Sequence, residues 1–277
     1  MPSLVLRGSI MSATDEPTIE IDPLEDGIRV LRLNRPALRN ALTDCMVDAF
    51  AQAIDRLSSD DACRVIVVTG AGKGFCAGFD LSLAQSAPGQ AEGGEVSAWT
   101  ARQERYAQIV TRLRAARQPV IAAVNGAASG AGFGLALAAD VRIAARSARF
   151  NAAFVRIGLS SCDIGVSWLL PRCVGTTRAF EIMLTGRFVD ADEAERIGLV
   201  SSVVEDDALL ARALDTARMI AANSAFGVWM TKRGMWANLE TPSLQAAIEL
   251  ENRTQILARG TGDMAAAVRD FMAGRQR

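Results

Sequence analysis

Apolar and polar positions alternate along this chain in two rhythms, one of strands and one of helices. From Ile28, IRVLRLNRP reads as a strand with apolar residues at alternate positions, closed by a turn over 34–36. LTDCMVDAFAQAIDRLSSDD then takes helical spacing. Thr43 stands where an N-cap is wanted, and Met46, Val47, Phe50, Ile54 and Leu57 share one face. RVIVVTGAGKGFCAGFDL opens on an unbroken β-branched run at 65–68 ended by Gly70, the pattern of a strand buried on both faces that runs into a glycine-rich loop. Residues 86–94, SAPGQAEGG, are small and polar, and a mobile loop is expected there. VSAWTARQERYAQIVTRLRAARQ resumes the helical rhythm until Pro119, which cannot continue it. PVIAAVNG is a second buried strand, and VRIAARSARF has strand character. This recurrence of strand, loop and helix argues for an α/β core. After about residue 191 the pattern is helical almost throughout, with no heptad run, long repeat or low-complexity tract.

Composition narrows the chemistry. Half of the 277 residues are hydrophobic, 22% are charged and the formal net charge is -1. That balance gives no electrostatic reason to expect nucleic acid or an anionic membrane as partner, and leaves a soluble protein with small-molecule partners as the expectation. The five cysteines form no C-x-x-C pair and are odd in number, which suits reduced thiols in a cytoplasmic protein. The chain has no histidine. Ser-His-Asp and Cys-His catalysis and H-E-x-x-H zinc chemistry are therefore excluded, and proton transfer falls to Asp, Glu, Tyr, Lys, Cys or water. The N-terminal stretch has one short apolar run, from Leu4 to Leu6, and nothing like a signal-peptide core. Its first ten residues are expected to be disordered, or an extension ahead of Met11.

Two glycine-rich loops follow the buried strands. TGAGKG after the first departs from the dinucleotide pattern, because Gly70, Gly72 and Gly74 give G-x-G-x-G and the loop continues where a helix should open. A phosphate-binding P-loop is absent too, since Val67 stands where its first glycine belongs. The second loop, NGAASGAGFGLALAAD, has no ionisable side chain before Asp140. Each loop offers small residues with backbone N–H groups at the start of a predicted helix, and two such ends facing one oxygen make an oxyanion hole. The alternative is that the glycines serve only tight turns and close helix contact.

GKGFCAGFDL and AAVNGAASGAGFGLALAADVRIA, with LNRPALRNAL before them and IMLTGRFVDADEAERIGLVSSVV after them, resemble the crotonase superfamily, the enoyl-CoA hydratase/isomerase group. The resemblance runs from about residue 18 to the C-terminus. It implies an α/β fold: a crotonase-type spiral of strand-strand-helix repeats over 18–200, with a C-terminal helical oligomerisation region over 201–277 that builds homotrimers, often paired into hexamers, and a disordered extension at 1–17. The implied ligand is an acyl-CoA thioester whose coenzyme A is part of the substrate, with no metal or other cofactor. The positions matching the family's oxyanion donors are the backbone N–H groups of Phe79 and Ala131. Substrate-binding positions carried over are Arg39, whose guanidinium is placed to reach a phosphate, with Ala77, Asp80 and Leu81; Lys73 has a similar claim. Asp80 also reads as a residue that caps or braces its loop, and Asp140 as one with a structural partner.

Both glutamates of the family's hydratases are missing: the matching positions are Gly134 and Phe154. Asp163, in GLSSCDIGVSWLLPR, matches a loop where related isomerases carry a catalytic aspartate, and is the candidate acid/base. Its local reading is an Asx turn or a helix N-cap before IGVSWLL. Trp99, Arg102, Gln103 and Tyr106 line the acyl pocket or simply pack. One carboxylate suits isomerisation, where the same group removes and returns a proton, better than two-glutamate hydration. The contrasting expectations are a non-catalytic acyl-CoA binding or carrier protein, or an enzyme for a specialised acyl group.

Overall fold

Each long apolar run becomes a strand of one sheet, and the glycine-rich stretch that follows it becomes a strand of a second. The computed structural model describes residues 4–5, 17–84 and 94–274; the rest of the expected N-terminal extension and residues 86–93 of the expected mobile loop lie outside these. In chain order the elements are β1 (Leu4–Val5), β2 (Ile19–Pro23), β3 (Ile28–Leu33), α1 (Asp44–Ser59), β4 (Val65–Gly70), β5 (Gly74–Cys76), α2 (Gly94–Ala115), β6 (Val120–Val124), β7 (Ala127–Ser129), α3 (Ala131–Ala138), β8 (Val141–Ala145) and β9 (Arg149–Asn151). There follow α4 (Val166–Val174), α5 (Thr176–Thr185), β10 (Val189–Asp190), α6 (Ala191–Arg196), β11 (Ser202–Val204), α7 (Leu209–Ala221), α8 (Ala225–Asn238), α9 (Leu244–Arg259) and α10 (Asp263–Met272).

The large sheet has the order β1-β2-β3-β4-β6-β8-β11 and the small one β10-β9-β7-β5. Strands β4, β6 and β8 run parallel in the first, and β5, β7 and β9 run parallel in the second. Three successive units, β4-β5-α2, β6-β7-α3 and β8-β9-α4, thus each place one strand in each sheet before a helix. That repetition is the spiral of strand-strand-helix units that the family resemblance implies.

Strand periodicity sorts the apolar residues of the large sheet onto two buried faces. Ile66, Val68, Ala122 and Val124 join the main core. Val65, Val67, Ile121 and Ala123 turn the other way, onto Leu209, Ala213 and Ala217 of α7. Strand β11 and helix α7 therefore complete the core, although both lie beyond residue 200. In α1, Thr43 caps the helix by accepting from Met46 N–H, and Met46, Val47, Phe50, Ile54 and Leu57 are all buried, each burial worth about 1.5–3 kcal/mol.

Asp140 pins the C-terminal helices to this core. Its carboxylate accepts from Val120 N–H at 2.7 Å and Trp236 Nε1 at 2.8 Å, and pairs with Lys232 Nζ at 2.9 Å. Lys232 is buried and also donates to the carbonyls of Leu113 and Gln118; burial pushes its ammonium pKa down while Asp140 opposes that shift. Beyond α8 the character changes. Helices α9 and α10 bury no residue, and Leu244, Ile256, Phe271 and Met272 stand largely exposed. Among the described residues no helix is long and apolar enough to cross a membrane.

Candidate active site

The two glycine-rich loops meet. A Cβ placed on Gly78 would stand 2.7 Å from Ser129 O and 3.3 Å from Ala131 N, and the φ of Gly78 is +91°. A Cβ on Gly132 would stand 2.1 Å from Cys76 O. The glycines therefore serve close approach of one loop backbone to the other. That contact brings Gly78, the residue before Phe79, beside Ala131. Ala131 opens α3, where an N–H has no partner within the helix. Leu42 holds the backbone on both sides of Phe79: Leu42 N–H donates to Gly78 O at 2.7 Å, and Asp80 N–H donates to Leu42 O at 3.0 Å. Among the described residues neither Phe79 N–H nor Ala131 N–H donates a hydrogen bond.

One detail differs from the sequence expectation. Phe79 does not precede an α-helix; the chain makes a single 3-10 turn over Leu81–Leu83, because Asp80 caps it through Ser82 N–H and Ser82 Oγ. Asp80 also pairs with Arg35 at 3.1 Å. The Ser82 hydroxyl, with Arg35 behind it, holds the Asp80 carboxyl below the usual carboxylate range. This carboxylate braces the loop, as its local reading had it.

Two asparagines that the sequence reading passed over stitch the loops together. Asn40, fully buried, donates from Nδ2 to Gly74 O at 2.7 Å and to Ala71 O at 3.0 Å, and accepts from Arg35 N–H at 2.8 Å. Asn125 donates to the carbonyls of Gly70 and Gly72, both at 2.9 Å, and accepts from Gly70 N–H at 3.1 Å. The Asn-Gly pair at 125–126 was the available signal for the second. Arg39 takes a left-handed φ of +50°, and its carbonyl accepts from Ala77 N–H at 2.9 Å. The side chains of Arg39 and Lys73 are exposed and, among the described residues, form no ion pair. Leu81 is exposed.

Asp163 lies in the loop before α4. It is not the N-cap of α4: that position belongs to Gly165, with no side-chain cap. The carboxylate instead accepts from Gln103 Nε2 on α2, and the Ile164 N–H nearby favours its charged form. Burial raises its pKa, and those two donors partly offset the rise. Ile164, next to it, holds a φ of +44°, strain of about 1–3 kcal/mol for a β-branched residue. Its side chain fills the space at Gly134, where a Cβ would lie 2.7 Å from Ile164 Cγ2. Phe154 is buried, and its ring edge approaches the Cβ position of Gly130 at 3.7 Å, one residue before Ala131. Apolar side chains thus face Gly130 and Gly134, on either side of Ala131. Cys76 is buried and its thiol is pushed up to about 12 by that burial, so it is inert. A surface cleft of about 500 Å³ bordered by Arg146, Glu205, Asp206 and Asp207 shares none of these residues.

Residues 24–275 match the family model described as Enoyl-CoA hydratase/isomerase. The chain belongs to the enoyl-CoA hydratase/isomerase family. It is 44% identical over 230 residues to the "Probable enoyl-CoA hydratase echA12" of Mycobacterium leprae, covering 83% of this chain and 78% of that one. It is 38% identical over 252 residues to the 1,2-epoxyphenylacetyl-CoA isomerase of Escherichia coli K12, covering 91% of this chain and 94% of that one. Among solved structures, a monofunctional enoyl CoA isomerase from M. smegmatis superposes with a TM-score of 0.71 at 41% identity, covering 83% of this chain and 98% of that one. Ile164 occupies the room at Gly134, and an aromatic ring stands at Phe154.

Proposed function

We propose that this enzyme of the enoyl-CoA hydratase/isomerase family binds an acyl-CoA thioester with its carbonyl oxygen between Phe79 N–H and Ala131 N–H, stabilises the enolate, and moves the proton with Asp163. The observation that carries the reading is the contact of the two loops at Gly78 and Ala131, beside two N–H groups that donate no hydrogen bond among the described residues. Removing a proton next to a thioester places negative charge on the carbonyl oxygen. Two preorganised donors in an apolar setting meet that charge without reorganising, each worth about 3–4 kcal/mol of transition-state stabilisation. The burial that raises the pKa of Asp163 makes its carboxylate a better proton acceptor nearer neutral pH.

The reaction favoured is migration of a double bond, in which Asp163 takes a proton from one carbon of the acyl chain and returns it to another. The isomerase names of two relatives support this choice over two-carboxylate hydration. The exposed cations Arg39 and Lys73 are suited to the phosphates of coenzyme A. The unburied apolar residues of α9 and α10 suit a trimer, alone or paired as a hexamer, and a cytoplasmic setting suits the five free cysteines.

The test compares conversion of a 3-enoyl-CoA to its conjugated isomer with hydration of crotonyl-CoA, for the natural protein and for Asp163→Asn. Isomerisation that collapses in Asp163→Asn is the expected result. Acyl-CoA binding with neither reaction in the natural protein favours the non-catalytic binder instead, a reading motivated by the filled positions at Gly134 and Phe154.

A further inference from the structure

Phe79 is gripped by its ring as well as by its backbone. The guanidinium of Arg102 lies 5.2 Å from the centre of the ring, and Tyr106 meets it edge-on with centroids 5.5 Å apart. Both α2 residues are anchored to one carboxylate: Arg102 Nε and Tyr106 Oη each donate to Asp44 Oδ1 at 2.9 Å. Arg102 is 7% exposed. Asp44 begins α1 two residues after Leu42, whose backbone holds the peptides flanking Phe79. The start of α1 therefore fixes the main chain of Phe79, while the ion pair between α1 and α2 fixes its side chain.

We infer that Arg102, anchored by Asp44, is a positioning residue that sets the direction of the Phe79 N–H by clamping the phenyl ring. The inference rests on the oxyanion role proposed above for Phe79. A buried Arg–Asp pair is weak ground for stability by itself, since desolvation offsets its attraction. Here the pair stands directly on the residue whose peptide must hold one orientation, and a donor misplaced by about 1 Å costs on the order of 100-fold in rate. A flat guanidinium over an aromatic face restrains both the ring's position and its tilt. The Cα–Cβ bond passes that restraint to the peptide.

The test uses acetoacetyl-CoA, a β-keto thioester whose enolate absorbs in the ultraviolet, at a pH where the free ligand is mainly in the keto form. The natural protein is expected to raise the enolate absorption on binding. Arg102→Met is expected to lose most of that gain while still binding the ligand, and to lower kcat about 10- to 100-fold with KM little changed. Phe79→Leu, which keeps the N–H and removes the ring, is expected to show the same loss and decides the matter if Arg102→Met fails to fold by circular dichroism. An undiminished enolate signal in the folded variants, with the natural protein showing the gain, overturns the positioning role. No gain in the natural protein overturns the oxyanion reading beneath it.

Discussion

The two halves of the candidate site are built from different material. The half proposed to hold the thioester oxygen is backbone: two peptides placed by Leu42, by the loop contact at Gly78 and by the asparagines at 40 and 125. The half proposed to move the proton is one side chain, Asp163, steadied by Gln103. Backbone is difficult to change without disturbing the sheets, whereas a side chain can be exchanged at little cost to the fold. The comparison suggests how a family can keep enolate stabilisation while its members differ in the reaction that follows. In the proposal, Gly134 and Phe154 stand where the resemblance puts glutamates, and Asp163 supplies the carboxylate.

Substitutions can break or sharpen this contrast. The largest effect is expected at the single side chain: Asp163→Asn should lower isomerisation by about 10²- to 10⁴-fold while acyl-CoA affinity, measured by calorimetry, changes little. Gly78→Ala attacks the backbone half. With a φ of +91° and only 2.7 Å to Ser129 O, the added methyl forces the loops apart. Steady-state kinetics should show kcat down by about 10²- to 10³-fold, the scale of losing one oxyanion donor, together with a lower Tm.

Gly134→Ala tests the junction between the halves. The new methyl meets Ile164 Cγ2 at 2.7 Å and Ile164 O at 3.0 Å, so denaturant unfolding should show a loss of about 1–3 kcal/mol from overpacking. For the same reason Gly134→Glu should fail to create crotonyl-CoA hydration. The smallest effect is expected at Gln103→Leu. The Gln103 hydrogen bond favours the ionised form of Asp163 against the upward push of burial. Removing it raises the pKa further, and a base must be ionised to act, so the acid limb of the pH–rate profile should move to higher pH. A limb that stays put would mean that Asp163 is not the titrating base.

Much of the fold could be read from the chain because its signals are local. The buried run at 65–68, the cap at Thr43 and the apolar face of α1 each follow from neighbours within one turn or one strand. The small sheet could not be read in this way: β5, β7 and β9 have three residues each, too few for alternation to show. The loops of the site were recognisable from their glycines and their order. What fixes them was not, because Asn40 bonds to carbonyls more than thirty residues away and Gln103 reaches Asp163 across sixty. The cap reading of Asp163 was sound as local chemistry, but Gly165 takes that position and a distant amide takes the carboxylate. The resemblance supplied Phe79 and Ala131 by position; the contact in the structure is between Ala131 and Gly78, the residue before Phe79.

The most direct test of the central claim is proton exchange. A 3-enoyl-CoA is incubated with the enzyme in deuterium oxide, and the carbons next to and beyond the double bond are followed by NMR. Enolate stabilisation with a carboxylate shuttle predicts deuterium entering the acyl chain as the conjugated isomer forms, with both processes lost in Asp163→Asn. A protein that binds the thioester yet leaves every carbon-bound proton in place would contradict it.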